Sequence, residues 1–153
     1  MKTNWLKISL LFFALPFAFT LSTAQVQANE PEEVFRIVEE MPHFPIGNTE
    51  GMSQSQINQT ALREMLLFIF NEMNYPEEAR QQGIEGTVVV QFIVNKDGSY
   101  SDLKVNRSLG GGCDEEALRI IEAMFEMNGP WEPGKQSGQK KRVQFNLPIR
   151  FRM

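Results

Sequence analysis

Val143-Gln144-Phe145-Asn146-Leu147-Pro148-Ile149-Arg150-Phe151 alternates without a break: the odd positions are apolar, and Gln, Asn, Pro and Arg lie between them. A period of two is the pattern of a half-buried β-strand, with one face on a core and the other in water. Pro148 then decides where the strand lies. Proline has no N–H to give to a ladder, so it belongs on a sheet edge or at a bulge. An edge strand with one apolar face carries unpaired backbone groups that must either be guarded or be used to bind another extended chain.

Upstream, Gly86 opens Thr87–Val94, a β-branched run in which Val88, Val90, Phe92 and Val94 share one face. Asn95–Ser99 reads as a tight turn in which Gly98 can supply a positive φ, and a second strand with Leu103 and Val105 inward follows from Tyr100 to about Arg107. Gly110–Gly112 interrupts the chain. Asp114 is expected to cap a helix running through Met127, with Ala117, Leu118, Ile121, Met124 and Phe125 as its apolar stripe. Earlier still, Gln56–Met73 repeats apolar residues at helical spacing (Ile57, Ala61, Leu62, Met65, Leu66, Ile69, Met73). Tyr75-Pro76 stops that helix and Pro76 begins a short one that ends before Gly83. This order predicts an α+β fold: a three-stranded, mainly antiparallel sheet of order 2-1-3, helices packed on one face, and the closing strand outermost.

The N-terminus asks for separate treatment. Lys2 and Lys7 precede an apolar run, Ile8–Leu21, which leads into small residues ending at Ala28, the layout of a secretory signal peptide. The run is shorter than the roughly 20 residues of a membrane-spanning helix and contains Pro16. Residues 1–28 therefore read as a signal peptide, or as an uncleaved anchor in the alternative. Residues 29–55 read as an arm or linker, in which Val34–Val38 could add a short strand or lie extended on the domain, and residues 56–153 as one domain.

Composition removes whole classes of function. The net charge is −4, which disfavours nucleic acid as a partner. One His and one Cys offer no metal-ligand spacing and no nucleophile–base pair, so neither an enzyme nor a cofactor site is expected. A single cysteine also excludes an internal disulfide, and Cys113 reads as a small buried residue. His43 has no chemical partner in its loop. The charge is uneven, because Lys135, Lys140, Lys141, Arg142, Arg150 and Arg152 follow Glu132 with no acidic residue among them. Such cations guard an exposed strand edge.

Several ordered motifs complete the reading: Tyr75-Pro-Glu-Glu-Ala-Arg80, Gly83-Ile-Glu-Gly86, Val94-Asn-Lys-Asp-Gly-Ser99, Asp114-Glu-Glu-Ala-Leu118, Trp131-Glu-Pro-Gly134 and Leu147-Pro-Ile-Arg-Phe151. Together they resemble the TonB C-terminal domain, in the form found in Bacteroidetes energy transducers, over about residues 56–153. The resemblance implies a periplasmic module that captures the TonB box, a short extended peptide of outer-membrane TonB-dependent receptors, by adding it as a strand to the sheet edge. The docking residues it implies are Val143, Gln144, Phe145, Asn146 and Leu147, with Tyr75 and Pro76 near the receptor. A full transducer of this kind also has an inner-membrane anchor that engages ExbB and ExbD and a long Pro-rich spacer. Between residue 29 and the first helix this chain has about 27 residues, reaching at most ~95 Å. An accessory binding protein, a self-dimerising TolA-like envelope scaffold and an anchored short transducer all remain open at this point.

Overall fold

Nine consecutive residue pairs join Gly86–Val94 to the closing strand, from Gly86 opposite Phe151 to Val94 opposite Val143. In the computed structural model, which describes residues 32–153, the elements run β1 (Val34–Phe35), α1 (Gln54–Glu72), α2 (Glu77–Gln82), β2 (Gly86–Val94), β3 (Tyr100–Arg107), α3 (Cys113–Asn128), β4 (Lys135–Gln136), β5 (Gln139–Lys140) and β6 (Arg142–Phe151). The expected signal segment lies outside the described residues. None of the described helices is long and apolar enough to cross a membrane.

The main sheet has four strands in the order β1-β6-β2-β3. This corrects the three-stranded expectation: the order 2-1-3 survives within β3, β2 and β6, but the closing strand is not outermost, because the arm adds β1 parallel to β6, pairing Val34 with Arg142 and Phe35 with Val143. The two polar-flanked pairs β4 and β5 form a separate small hairpin. Its turn residues Ser137 and Gly138 both have positive φ (51° and 73°), the geometry that matches the twist of a two-residue hairpin loop.

The core lies between the sheet and the helices. Val88, Val90, Phe92 and Val94 of β2 and Leu147, Ile149 and Phe151 of β6 pack with Ala117, Ile120, Ile121 and Met124 of α3. Helix α1 begins two residues before the expected start, because Ser53 and Gln56 form a reciprocal capping box that satisfies two orphan amides of the first turn. Its buried side is narrower than the periodicity suggests. Ala61, Met65 and Ile69 are buried, while Leu62, Leu66, Leu67 and Phe70 stay exposed, Phe70 at 80%. Glu116 of α3 holds the end of α1. Its carboxylate accepts from Asn74 N at 2.7 Å and from Arg119, whose guanidinium also donates to the Glu72 carbonyl at 2.5 Å. Burial raises the Glu116 pKa, but the Arg119 and Asn74 hydrogen bonds outweigh it and leave the carboxyl below its ordinary value.

Asp114 does not cap α3. The helix starts at Cys113, after Gly112 in the left-handed region, and the Asp114 carboxylate reaches back to Ser108 Oγ, Leu109 N (2.9 Å) and Gly110 N. It ties down the glycine loop where a helix cap was expected. Cys113 is fully buried, and burial, with Asp114 and Glu115 adding to it, pushes its thiol pKa up; an activated thiolate is therefore disfavoured.

Candidate functional site

Pro148 pairs with Val89 in a ladder that runs without a register shift. Successive residues of an antiparallel strand turn their N–H and C=O groups to alternate sides. Facing Pro148 away from β2 costs no ladder bond, and the same alternation turns Arg142, Gln144, Asn146 and Arg150 outward. On that outer side only Arg142 and Val143 have a strand partner among the described residues. From Gln144 to Phe151 the outer side is unpaired.

The five residues that the sequence marked for docking thus fall into two groups. Val143 lies fully buried opposite Phe35, whereas Gln144, Phe145, Asn146 and Leu147 lie beyond the end of β1. Phe145 and Leu147 face the helices; Gln144 and Asn146 face the other side, with Asn146 exposed. Phe145 is half-buried in an aromatic cluster, 5.2 Å from Trp131 edge-on and 5.6 Å from Phe92 between ring centroids. Trp131 also stacks on Phe125 at 5.5 Å and meets Phe44 and Phe92 edge-on. Its Nε1 is buried without a hydrogen-bond acceptor among the described residues. Beside Phe145, the residues Phe44, Ala61, Leu62, Met65 and Trp131 help line a largely apolar cavity of about 240 Å³.

Tyr75 packs against the far end of β6, away from Val143–Leu147, and Pro76 follows it. Tyr75 donates its hydroxyl to the Ile84 carbonyl at 2.5 Å and meets Phe151 edge-on at 6.0 Å; burial raises its pKa. Pro76 precedes α2, and its Cβ would lie 3.1 Å from a Cβ placed on Gly112.

The arm is the part of the site whose pairing partner local sequence patterns did not name. Val34–Val38 carries the apolar character of a strand but no sign of its partner. Behind β1 the chain crosses the 131–136 segment, with bridges Glu40–Lys135 and His43–Glu132. Val38 and Phe44 are buried there at 7% and 5%. Lys135 contacts Glu132 and Glu40, and its hydrogen bond to Glu132 leads the causes that raise its pKa. Ahead of β1, Glu32 accepts from Lys96, the main cause of its lowered pKa, and its carbonyl accepts from Arg142 at 3.3 Å. Arg142 also donates to Asn95 Oδ1 at 3.0 Å and lies 4.0 Å from Asp102. Lys140, Lys141, Arg150 and Arg152 form no ion pair among the described residues. No described cluster of His, Cys, Asp and Glu could hold a metal ion.

Comparison with known proteins bears on what such an edge is for. Over 52 residues the chain is 38% identical to Protein TonB from two strains of Helicobacter pylori, a stretch that covers 34% of this chain and 19% or 18% of those proteins. The chain thus matches about a fifth of the length of these curated relatives. NMR structures of the Helicobacter pylori TonB-CTD align at 25% identity over 71% of this chain and 97% of that one (TM-score 0.47), and at 27% over 60% and 91% (TM-score 0.45). The model of the Gram-negative bacterial TonB protein C-terminal matches residues 71–153, from the end of α1 through β6, and by that match the chain belongs to the TonB C-terminal domain family.

Proposed function

We propose that this protein binds the TonB box of outer-membrane TonB-dependent receptors by strand addition at β6, and so supports energy-coupled transport across the outer membrane. The observation that carries the reading is the edge itself: β6 is fully paired to β2 on one side and open from Gln144 onward on the other. A peptide strand laid there would place alternate side chains beside Phe145 and Leu147, next to the apolar cavity, and the remainder beside Gln144 and Asn146. Each added backbone hydrogen bond contributes only about 0.5–1.5 kcal/mol net, so affinity requires several in register together with side-chain burial. The function is that of a binding module located in the periplasm. The Bacteroidetes character of the motifs and contact with ExbB and ExbD belong to this proposal as its finer expectations.

Titration of isotope-labelled protein with a synthetic TonB-box peptide tests the reading. Binding should perturb the amides of Gln144, Asn146 and Arg150 first. Perturbation centred on β3 or on Tyr75 instead would place the docking surface elsewhere. A second reading, self-association, draws on one observation, the exposed Leu62, Leu66, Leu67 and Phe70 on α1; sedimentation across a concentration series decides it.

A further inference from the structure

The β6 edge already has an occupant. Glu32–Phe35 lies along it in extended form, with Glu32 held by Lys96, the Glu32 carbonyl by Arg142, Val34 and Phe35 paired to Arg142 and Val143, and the Phe35 ring 5.5 Å from Lys141 Nζ. These attachments differ in kind from those immediately after them. Both members of the Glu32–Lys96 pair are about half exposed (50% and 47%), Val34 is 37% exposed and Ile37 84%. From Val38 on, the arm is anchored by buried Val38, Pro42 and Phe44, with Glu39 and Met41 exposed between them, and is bridged to Glu132 and Lys135; the Glu39 carboxylate accepts from Ser137 N at 2.9 Å and Gln136 Nε2 at 2.8 Å. Exposed ion pairs and two-residue strands open easily, whereas buried segments open with the whole domain. The exposed Ile37 thus separates a releasable segment from a fixed one.

We propose that Glu32–Phe35 is an internal competitor for the docking edge: a partner peptide reaches the Arg142–Val143 end of β6 only by displacing it. This inference rests on the reading of β6 as a peptide-docking strand and adds a regulatory contact to it. The occupant also indicates which chemistry that end accepts, a carboxylate at Lys96 followed by an apolar residue opposite Val143. When β1 is docked, a peptide has only the edge from Gln144 onward. Its apparent affinity for the full edge is then reduced by the fraction of molecules in which β1 is released.

The test is calorimetric titration of a synthetic TonB-box peptide into the full chain and two variants. Phe35→Pro removes an amide from β1 and the ring from Lys141. If β1 is docked in about nine molecules of ten, this variant should bind about tenfold more tightly. A Val34→Cys/Arg142→Cys pair offers a reversible lock across β1 and β6, and binding should be weaker oxidised than reduced in the same folded protein. A free peptide of sequence Glu32–Val38 should also compete with the TonB-box peptide for the Phe35→Pro variant. Equal affinity of the wild type and Phe35→Pro, with no difference between locked and unlocked protein, would overturn the internal competitor and leave the edge reading intact. Failure of every form to bind the TonB-box peptide would overturn both.

Discussion

β3 and β6 flank the same central strand but meet it differently. The β3 pairing shifts register twice, and Asp102, between the Gln91–Lys104 and Ile93–Ser101 pairs, takes a left-handed conformation (φ 53°). The β6 pairing has no shift over nine pairs. A bulge twists an edge and leaves a residue unpaired, which spoils it as a template for another strand. Exposed Asp102, Lys104, Asn106 and Arg107 guard β3 further with charge and polarity. On β6 the devices are milder: one proline, a few unpaired cations, and a two-residue cover from the chain's own arm. One edge is spoiled by its own backbone and the other is covered only at Arg142 and Val143 by the arm, the distinction expected if β6 is the docking edge proposed above.

Trp131 provides the most forceful way to break this comparison, because it supports both sides. Its backbone N–H donates to the Gly98 carbonyl in the β2–β3 turn at 2.9 Å, and its ring contacts Phe145 of β6 and Phe44 of the arm. Trp131→Ala should cost about 3–5 kcal/mol, read as a fall in the urea midpoint with both edges lost together. Phe145 of β6 touches Phe92 of β2 and Trp131 but is only half-buried, so Phe145→Ala should cost less, about 2–3 kcal/mol against the 3–5 of full burial. The variant should stay folded with peptide binding weakened. Equal losses for the two substitutions would mean that the aromatic cluster does not distinguish the edges.

Next in size is the backbone itself. Asn146→Pro removes an outward amide in the unpaired part of β6 and leaves the β2 ladder intact, as Pro148 already does two residues on. Peptide affinity should fall about two- to tenfold, since the lost bond is worth about 0.5–1.5 kcal/mol and 1.4 kcal/mol is a factor of ten. The thermal midpoint should stay close to wild type. A folded Asn146→Pro protein that binds peptide normally would move the docking edge off β6.

The sequence was most readable where the pattern was longest. Alternation through Val88–Val94 and Val143–Phe151 located β2 and β6, and Pro148 suggested that β6 lies at a sheet edge or bulge. Shorter elements were less readable for physical reasons. Val34–Val38 was marked as a possible short strand, but its parallel pairing to Arg142 and Val143 is a long-range match that local propensity does not encode. The β4–β5 hairpin hid in a polar stretch, although Ser137-Gly138 is a turn signal. Phe44 looked like part of an irregular Pro-rich loop and is instead core, because tertiary packing against Phe68 and Trp131 buries it. On α1 the periodicity overstated burial, since Leu62 and Leu66 repeat at helical spacing yet remain half exposed. The location of the edge was therefore legible, but its partial occupation by the arm was not.

Charge provides the finest test of the two edges. Arg150 on β6 is exposed, faces outward and has no ion pair among the described residues, and Lys104 on β3 is likewise exposed and unpaired there. A carboxylate-bearing peptide docking on β6 should be steered by Arg150 and be indifferent to Lys104. Charges at the rim of an interface act mainly on the association rate and are screened within about 10 Å at 0.1 M salt. Arg150→Glu should therefore slow association about two- to fivefold at about 0.1 M salt, an effect that fades as more salt is added, since exposed pairs are worth only ~0.2–1 kcal/mol. Lys104→Glu, with the same change in net charge, should leave the rate unchanged to within about 1.5-fold at that ionic strength, because the Debye length keeps its influence local to β3. Stopped-flow measurement of both variants separates edge-specific attraction from attraction to the protein as a whole: equal slowing would mean that net charge alone steers the peptide and that the two edges differ only in backbone geometry.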